Sequence, residues 1–143
     1  MMMIREIGNQ LERVVIKADF GGVSAEMLFN HFTQPDLITK WWPKSAEIDL
    51  HIGGQYNFNW PSPGFHLTGH FTTITPHTQL GYTWLWSHIP NAVQRQVDIT
   101  FAAGGLTLIH HTYGVSESEQ ADRQSHIDGW FHFLSQLQTL LSD

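Results

Sequence analysis

Between Ala46 and Tyr113 the chain is almost wholly built of short period-two runs separated by turn residues, and that arrangement leaves few folds open. Runs at 46–50, 55–60, 66–74, 79–86 and 93–101 read as five strands, and Ala103-Gly104-Gly105 turns tightly into another at 106–113. Gly53-Gly54, the stretch from Pro61 to Gly64, and Pro76-His77-Thr78 supply the turns, since Pro fixes one backbone dihedral and Gly reaches positive ones. Connections this short join only antiparallel neighbours, so the stretch predicts a meander. Upstream, residues 11–20 set Glu12, Val14, Ile16, Ala18 and Phe20 on one face against Arg13, Lys17 and Asp19 on the other. That is a half-buried strand, and it brings the expected total to about seven.

The meander is flanked by helical sequence. Gly21-Gly22 ends the first strand, and Ser24 stands where its hydroxyl can cap a short helix over about 25–31. Pro35 suits the first turn of a second short helix, which Trp41-Trp42 closes and Pro43 stops. After Gly114, Ser116-Glu-Ser-Glu119 offers a capping box, or Ser118 a cap one turn later. Ile127, Trp130, Phe131, Leu134, Leu137, Gln138 and Leu141 then recur at steps of three and four, which predicts a helix over about 119–141 with one apolar face. Burying five such side chains contributes on the order of 8 to 15 kcal/mol before entropy is subtracted, so the helix must dock on the sheet. Gly129 costs that helix about 1 kcal/mol relative to Ala, which predicts a close approach of its backbone to the sheet.

Composition narrows the function classes. A chain of 143 residues without linker, repeat or low-complexity segment reads as one domain, with its core over about 11–142. Cysteine is absent, which removes disulfides, thiolate nucleophiles and Cys-based zinc sites. A formal charge of -6 with only seven Lys and Arg gives no basic stripe for nucleic acid. No run approaches the roughly 20 apolar residues of a membrane span, and Met1 to Ile7 lacks the apolar core of a signal peptide, so the expected location is the cytoplasm.

The order of these marks carries a family resemblance. A strand, two short helices, Trp41-Trp42, Gly53-Gly54, Gly69 leading to Ile74-Thr-Pro76, Leu80 to Trp84, Thr107 to His111 and Gly129-Trp130 resemble the family of homologues of the heat-shock-protein-90 ATPase activator. That family lies in the SRPBCC, or START-like, superfamily, whose birch-pollen-allergen-like members share the helix-grip fold, and the resemblance runs from about Glu12 to Leu141. It implies an α+β architecture: a seven-stranded curved antiparallel sheet gripping a long C-terminal helix, two short helices between the first two strands, and a hydrophobic cavity between sheet and helix.

The strand faces point to the same interior. Tyr56, Phe58 and Trp60 share one face, as do Leu80, Tyr82, Trp84 and Trp86, and large rigid rings on a concave sheet leave a gap of the few hundred Å3 usual for small-molecule sites. The expected cavity set is Trp41, Phe58, Trp60, Tyr82, Trp84, Trp86, Trp130, Phe131 and Leu134, with two histidines. His111 is the first of these, in the Thr107, Ile109, His111 register that the resemblance favours as inward. His70 is the second, subject to Gly69 bending that strand and swapping its faces. Trp41-Trp42 reads either as a lid over the cavity mouth or as a plug beneath the short helices, the plug being favoured.

Ten histidines supply no local metal spacing: residues 66 and 70 lie about 13 Å apart on a regular strand, 110 and 111 point to opposite faces, and 126 and 132 are about 120° apart on a helix. No metal or other cofactor is expected. Glu12, Glu26, Glu47, Asp49 and Asp98 all fit a solvated face, and no nucleophile elbow occurs, so no catalytic set is named. The leading expectation is a protein that binds a small apolar or amphipathic molecule. The alternatives are a module that contacts a chaperone, as the resemblance implies, and a cyclase- or hydrolase-like enzyme using a cavity histidine. An exposed Trp42, or the face bearing Leu106 and Leu108, would support a dimer.

Overall fold

Alternation of buried and solvent-facing side chains runs through the strands of the computed structural model, which describes residues 3–142. The strands are β1 (Ile4–Ile7), β2 (Arg13–Asp19), β3 (Ser45–Ile48), β4 (Gln55–Trp60), β5 (Phe65–Thr75), β6 (Gln79–Trp86), β7 (Arg95–Ala102) and β8 (Gly105–His111). They form one antiparallel sheet in the order β1-β2-β8-β7-β6-β5-β4-β3. The run from β3 to β8 is the expected meander, and β2 closes onto its far side by pairing Arg13 with His111 through Asp19 with Gly105. The helices α1 (Ala25–Thr33) and α2 (Pro35–Ile38) occupy the crossover from β2 to β3, and α3 (Glu117–Leu141) is gripped by the curved sheet.

Among the described residues the sheet has eight strands where the sequence pattern gives seven. The extra strand, β1, pairs Ile4 with Ala18 through Ile7 with Val15. Its two isoleucines are three apart, so no period-two signal exists, and backbone pairing to β2 rather than an apolar face places it.

Local chemistry sets the helix starts. Ser24 accepts the Met27 amide at 3.1 Å, and Ser116 accepts the Glu119 amide at 3.3 Å. The second half of the expected capping box is not made: the Glu119 carboxylate takes the Gly114 amide at 2.9 Å and reaches across to Arg95 instead. On the inner side, Ile127, Trp130, Leu134 and Leu137 of α3 share one buried core with Val14 and Ile16 of β2, Leu106 and Leu108 of β8, and the inward aromatic residues of β4 and β6. Trp41 plugs the space under the short helices, its indole N–H donating to the His31 carbonyl at 2.9 Å and its ring edge-on to Phe32.

Gly69 is fixed by contact rather than by turn geometry. A Cβ there would stand 2.1 Å from the Thr83 carbonyl oxygen and 2.7 Å from the Tyr56 ring, which crosses the glycine so that its hydroxyl donates to that same carbonyl at 2.6 Å. The strand irregularity expected near Gly69 falls later, between Phe71 and Thr73, so Leu67, Gly69 and Phe71 stay on the inner face and His70 stays outside.

Candidate functional site

A cavity of about 460 Å3 opens between the β4–β6 end of the sheet and α3. Its walls hold five of the chain's six tryptophans: Trp42, Trp60, Trp84, Trp86 and Trp130. Period-two alternation turns Trp60 inward from β4 and Trp84 from β6, while Trp86 ends β6 against the mouth. Trp130 comes from α3, and Trp42 is delivered by the turn after α2, where its carbonyl accepts the Trp60 indole N–H at 2.8 Å. Trp42 stacks on Trp84 with centroids 5.8 Å apart and meets Trp130 at 5.0 Å. Exposed Phe65 and Ile89 stand at the mouth, with His88 stacked on Phe65 at 4.7 Å.

Two indole–imidazole hydrogen bonds cross between sheet and helix in opposite senses. Trp86 of β6 donates to Nε2 of His126 on α3 at 3.0 Å, and Trp130 of α3 donates to Nδ1 of His110 on β8 at 3.1 Å. The imidazoles stack on each other with centroids 4.7 Å apart and planes 10° from parallel. An indole nitrogen only donates, so both histidines are neutral acceptors. His126 therefore carries its proton on Nδ1 and donates it to the Tyr113 hydroxyl at 2.6 Å, whereas His110 carries its proton on Nε2. Burial lowers both pKa values, that of His126 to about 4 and that of His110 well below its usual range.

Beside this pair, Arg95 of β7 is nearly fully buried and fastens the first turns of α3. It makes a bidentate pair with Glu119 at 3.1 and 2.9 Å, donates twice to Asp122 Oδ2 at 3.2 and 2.7 Å, bonds the Thr112 carbonyl, and lies 4.3 Å from the centre of the Tyr113 ring. Burial works against the Arg95 charge, but Glu119 and Asp122 outweigh it, and the same pairing, with the Gly114 amide, brings Glu119 down to about 2. Among the described residues no group of three or more His, Asp or Glu is arranged to hold a metal ion.

The family model described as Activator of Hsp90 ATPase homolog 1-like protein matches residues 22–142. The chain belongs to this family. A search of curated proteins finds no match. Among solved structures, a Mesorhizobium loti protein superposes with a TM-score of 0.78 at 22% identity, covering 90% of this chain and 96% of its own. A Mycobacterium smegmatis protein gives 0.78 at 14% identity, with 98% of each chain covered. An HSP90 activator from Plasmodium falciparum gives 0.72 at 24% identity, covering 91% of this chain and 96% of its own. Similarity at this level describes the shared fold.

Within this Hsp90-activator-homologue fold, the expected cavity residues divide. Trp60, Trp84, Trp86 and Trp130 line the cavity together. Trp41 does not: it is the plug, and its neighbour Trp42 takes the wall. Phe58 and Tyr82 lie deeper, in close-packed contact with Tyr56 and Phe71, and Leu134 is fully buried core. Phe131 sits on the flank of α3, and Phe133 lines the cavity in its place.

Both histidine expectations are corrected. His70 faces outward from β5, and His111 lies on the outer sheet face with Nε2 2.9 Å from Asp98 Oδ2. The inward set of β8 is Leu106, Leu108 and His110, which the two leucines already mark by their alternation. The surfaces expected to support a dimer, Trp42 and the Leu106–Leu108 face, are interior. Gly129 is corrected too: nothing lies within 4 Å of where its Cβ would be, and the residue lines the cavity. It keeps space open rather than admitting the sheet.

Of the residues outside the expected cavity set, His126 shares a helix face with Trp130 at the i, i+4 spacing, a signal present in the chain. Arg95, Glu119 and Asp122 come from elements 24 and 27 positions apart and carry no local signature.

The neutral histidines give the fold a pH signature. Their folded pKa values lie below the unfolded value of about 6.5, so the unfolded chain binds more protons and stability is lost as pH falls from about 6.5 towards 4. Urea denaturation at pH 7.5 and 4.5 should differ by on the order of 2 to 3 kcal/mol from His126 alone, with H126Q flattening part of the decline. Glu119 titrates lower, so its contribution fades mainly below pH 4.5. A stability unchanged between those two pH values would mean that the imidazoles are not held neutral.

Proposed function

We propose that this protein holds a small, flat, apolar or amphipathic molecule in the tryptophan-lined cavity between the sheet and α3. The observation that carries this reading is the concentration of five tryptophans around about 460 Å3 of open space, within the size range of small-molecule sites. Indole faces favour a flat ligand through offset and edge contacts as well as burial of apolar area. The polar lining is sparse, with Ser62, Ser125, His88, His126 and Asp122 near the mouth and side walls, so a few polar contacts would orient what the rings hold. Both nitrogens of His126, the imidazole nearest the space beside α3, are engaged by Trp86 and Tyr113. An acid–base step on a ligand would first have to break one of those bonds, which favours holding over chemistry.

N-phenyl-1-naphthylamine, a neutral probe whose emission rises on leaving water, tests the reading. We expect saturable micromolar binding with quenching of the tryptophan emission. G129L places a side chain into the empty space opposite the rings while gaining helix propensity, so it should weaken binding at least tenfold without lowering the melting temperature. Absence of saturable binding, or an affinity unchanged in a folded G129L protein, would contradict the reading.

A second reading rests on the family model and on the likeness to the Plasmodium falciparum HSP90 activator: the chain would contact a chaperone and change its ATPase cycle. Steady-state ATP hydrolysis by purified HSP90 with increasing amounts of this protein decides it. A saturable rise in rate supports the contact, and a flat response excludes it for the chaperone used.

A further inference from the structure

The charges around the cavity are one-sided. Among the described residues, Asp122 is the only formally charged side chain in its lining, and no Lys or Arg faces the space. Arg95 approaches Asp122 from behind and satisfies only Oδ2. His126 Nε2 lies 3.9 Å from Oδ1, and that nitrogen cannot donate because it already accepts the Trp86 indole N–H. Asp122 thus keeps an unused carboxylate oxygen at the cavity wall. Arg95, Glu119 and Asp122 sum to one negative charge, and both stacked imidazoles resist taking up a compensating proton. The tryptophan faces add the negative side of their quadrupoles.

Resting on the reading of the cavity as a ligand site, we propose that its occupant is an organic cation: an ammonium-bearing molecule with a flat apolar body. The ammonium sits beside Asp122 Oδ1 and against the indole faces, and the body fills the space kept open by Gly129. Anionic amphiphiles such as fatty acids are disfavoured, because their carboxylate would meet Asp122 and no Lys or Arg among the described residues. Asp122 is partly exposed at the rim, so solvent screens part of its attraction and the ring faces add to the discrimination.

Phenyltrimethylammonium and its uncharged isostere tert-butylbenzene have nearly the same shape and differ in charge, and the quaternary nitrogen has no proton to lose. Titrations followed by tryptophan fluorescence and calorimetry should give the cation at least a tenfold advantage. D122N should remove most of that advantage while leaving tert-butylbenzene affinity within about twofold. E119Q, which weakens the same Arg95 clamp without facing the cavity, should change the preference by no more than about threefold, separating a direct role of Asp122 from general loosening. If tert-butylbenzene binds as well as the cation, or if D122N leaves the preference intact, the cation proposal is overturned while the cavity reading stands. If neither compound nor the neutral naphthylamine binds, the cavity reading itself falls and the proposal with it.

Discussion

The constraint on which the rest depends is that two buried imidazoles stay uncharged. His126 and His110 each accept one indole N–H across the boundary between helix and sheet, Trp86 to His126 and Trp130 to His110. A proton on either acceptor nitrogen would set two N–H groups against each other in a space that water barely reaches, at a cost well above that of losing one hydrogen bond. Because the donors sit on opposite layers, the bonds fix how α3 lies along the sheet as well as its distance from it. They also set the planes of Trp86 and Trp130, which are two walls of the cavity. A packing requirement and a binding surface are therefore the same interaction.

Arg95 completes the arrangement from the other side. Its guanidinium holds Glu119 and Asp122 in the first turns of α3, where the helix N-terminus already favours negative charge. The buried charge is tolerated because nearly all its donors are used, on two carboxylates and the Thr112 carbonyl. The remaining Asp122 oxygen gives the cavity an electrical sign. Gly129 then leaves a gap where the helix would otherwise project a side chain toward the rings.

Much of the fold was legible in the sequence because it is written in local signals. Turn residues at Gly53-Gly54, Pro61 to Gly64 and Gly104-Gly105 bound the strands, Ser24 and Ser116 mark helix starts, and the spacing from Ile127 to Leu141 marks the face of α3. β1 was not legible, because four residues with isoleucines three apart carry no strand period. The site was legible where period two alone decides direction, as for Trp60 and Trp84. It was misread at His111, where a register taken from family resemblance was set against the plainer alternation of Leu106 and Leu108, and at Trp41, where adjacent rings in a turn have no period to choose between them. The Arg95 cluster and the His110–His126 stack depend on how distant segments meet, which no single window contains.

The most direct test of the account is the protonation pattern of the two histidines, read from long-range 15N–1H correlations of the imidazole rings near pH 7. The hydrogen bonds require His126 to be the neutral Nδ1–H tautomer and His110 the neutral Nε2–H tautomer, with both signals unchanged down to about pH 5. Either ring found as imidazolium, or both in the same tautomer, would contradict the cross-layer bonds on which the cavity is built.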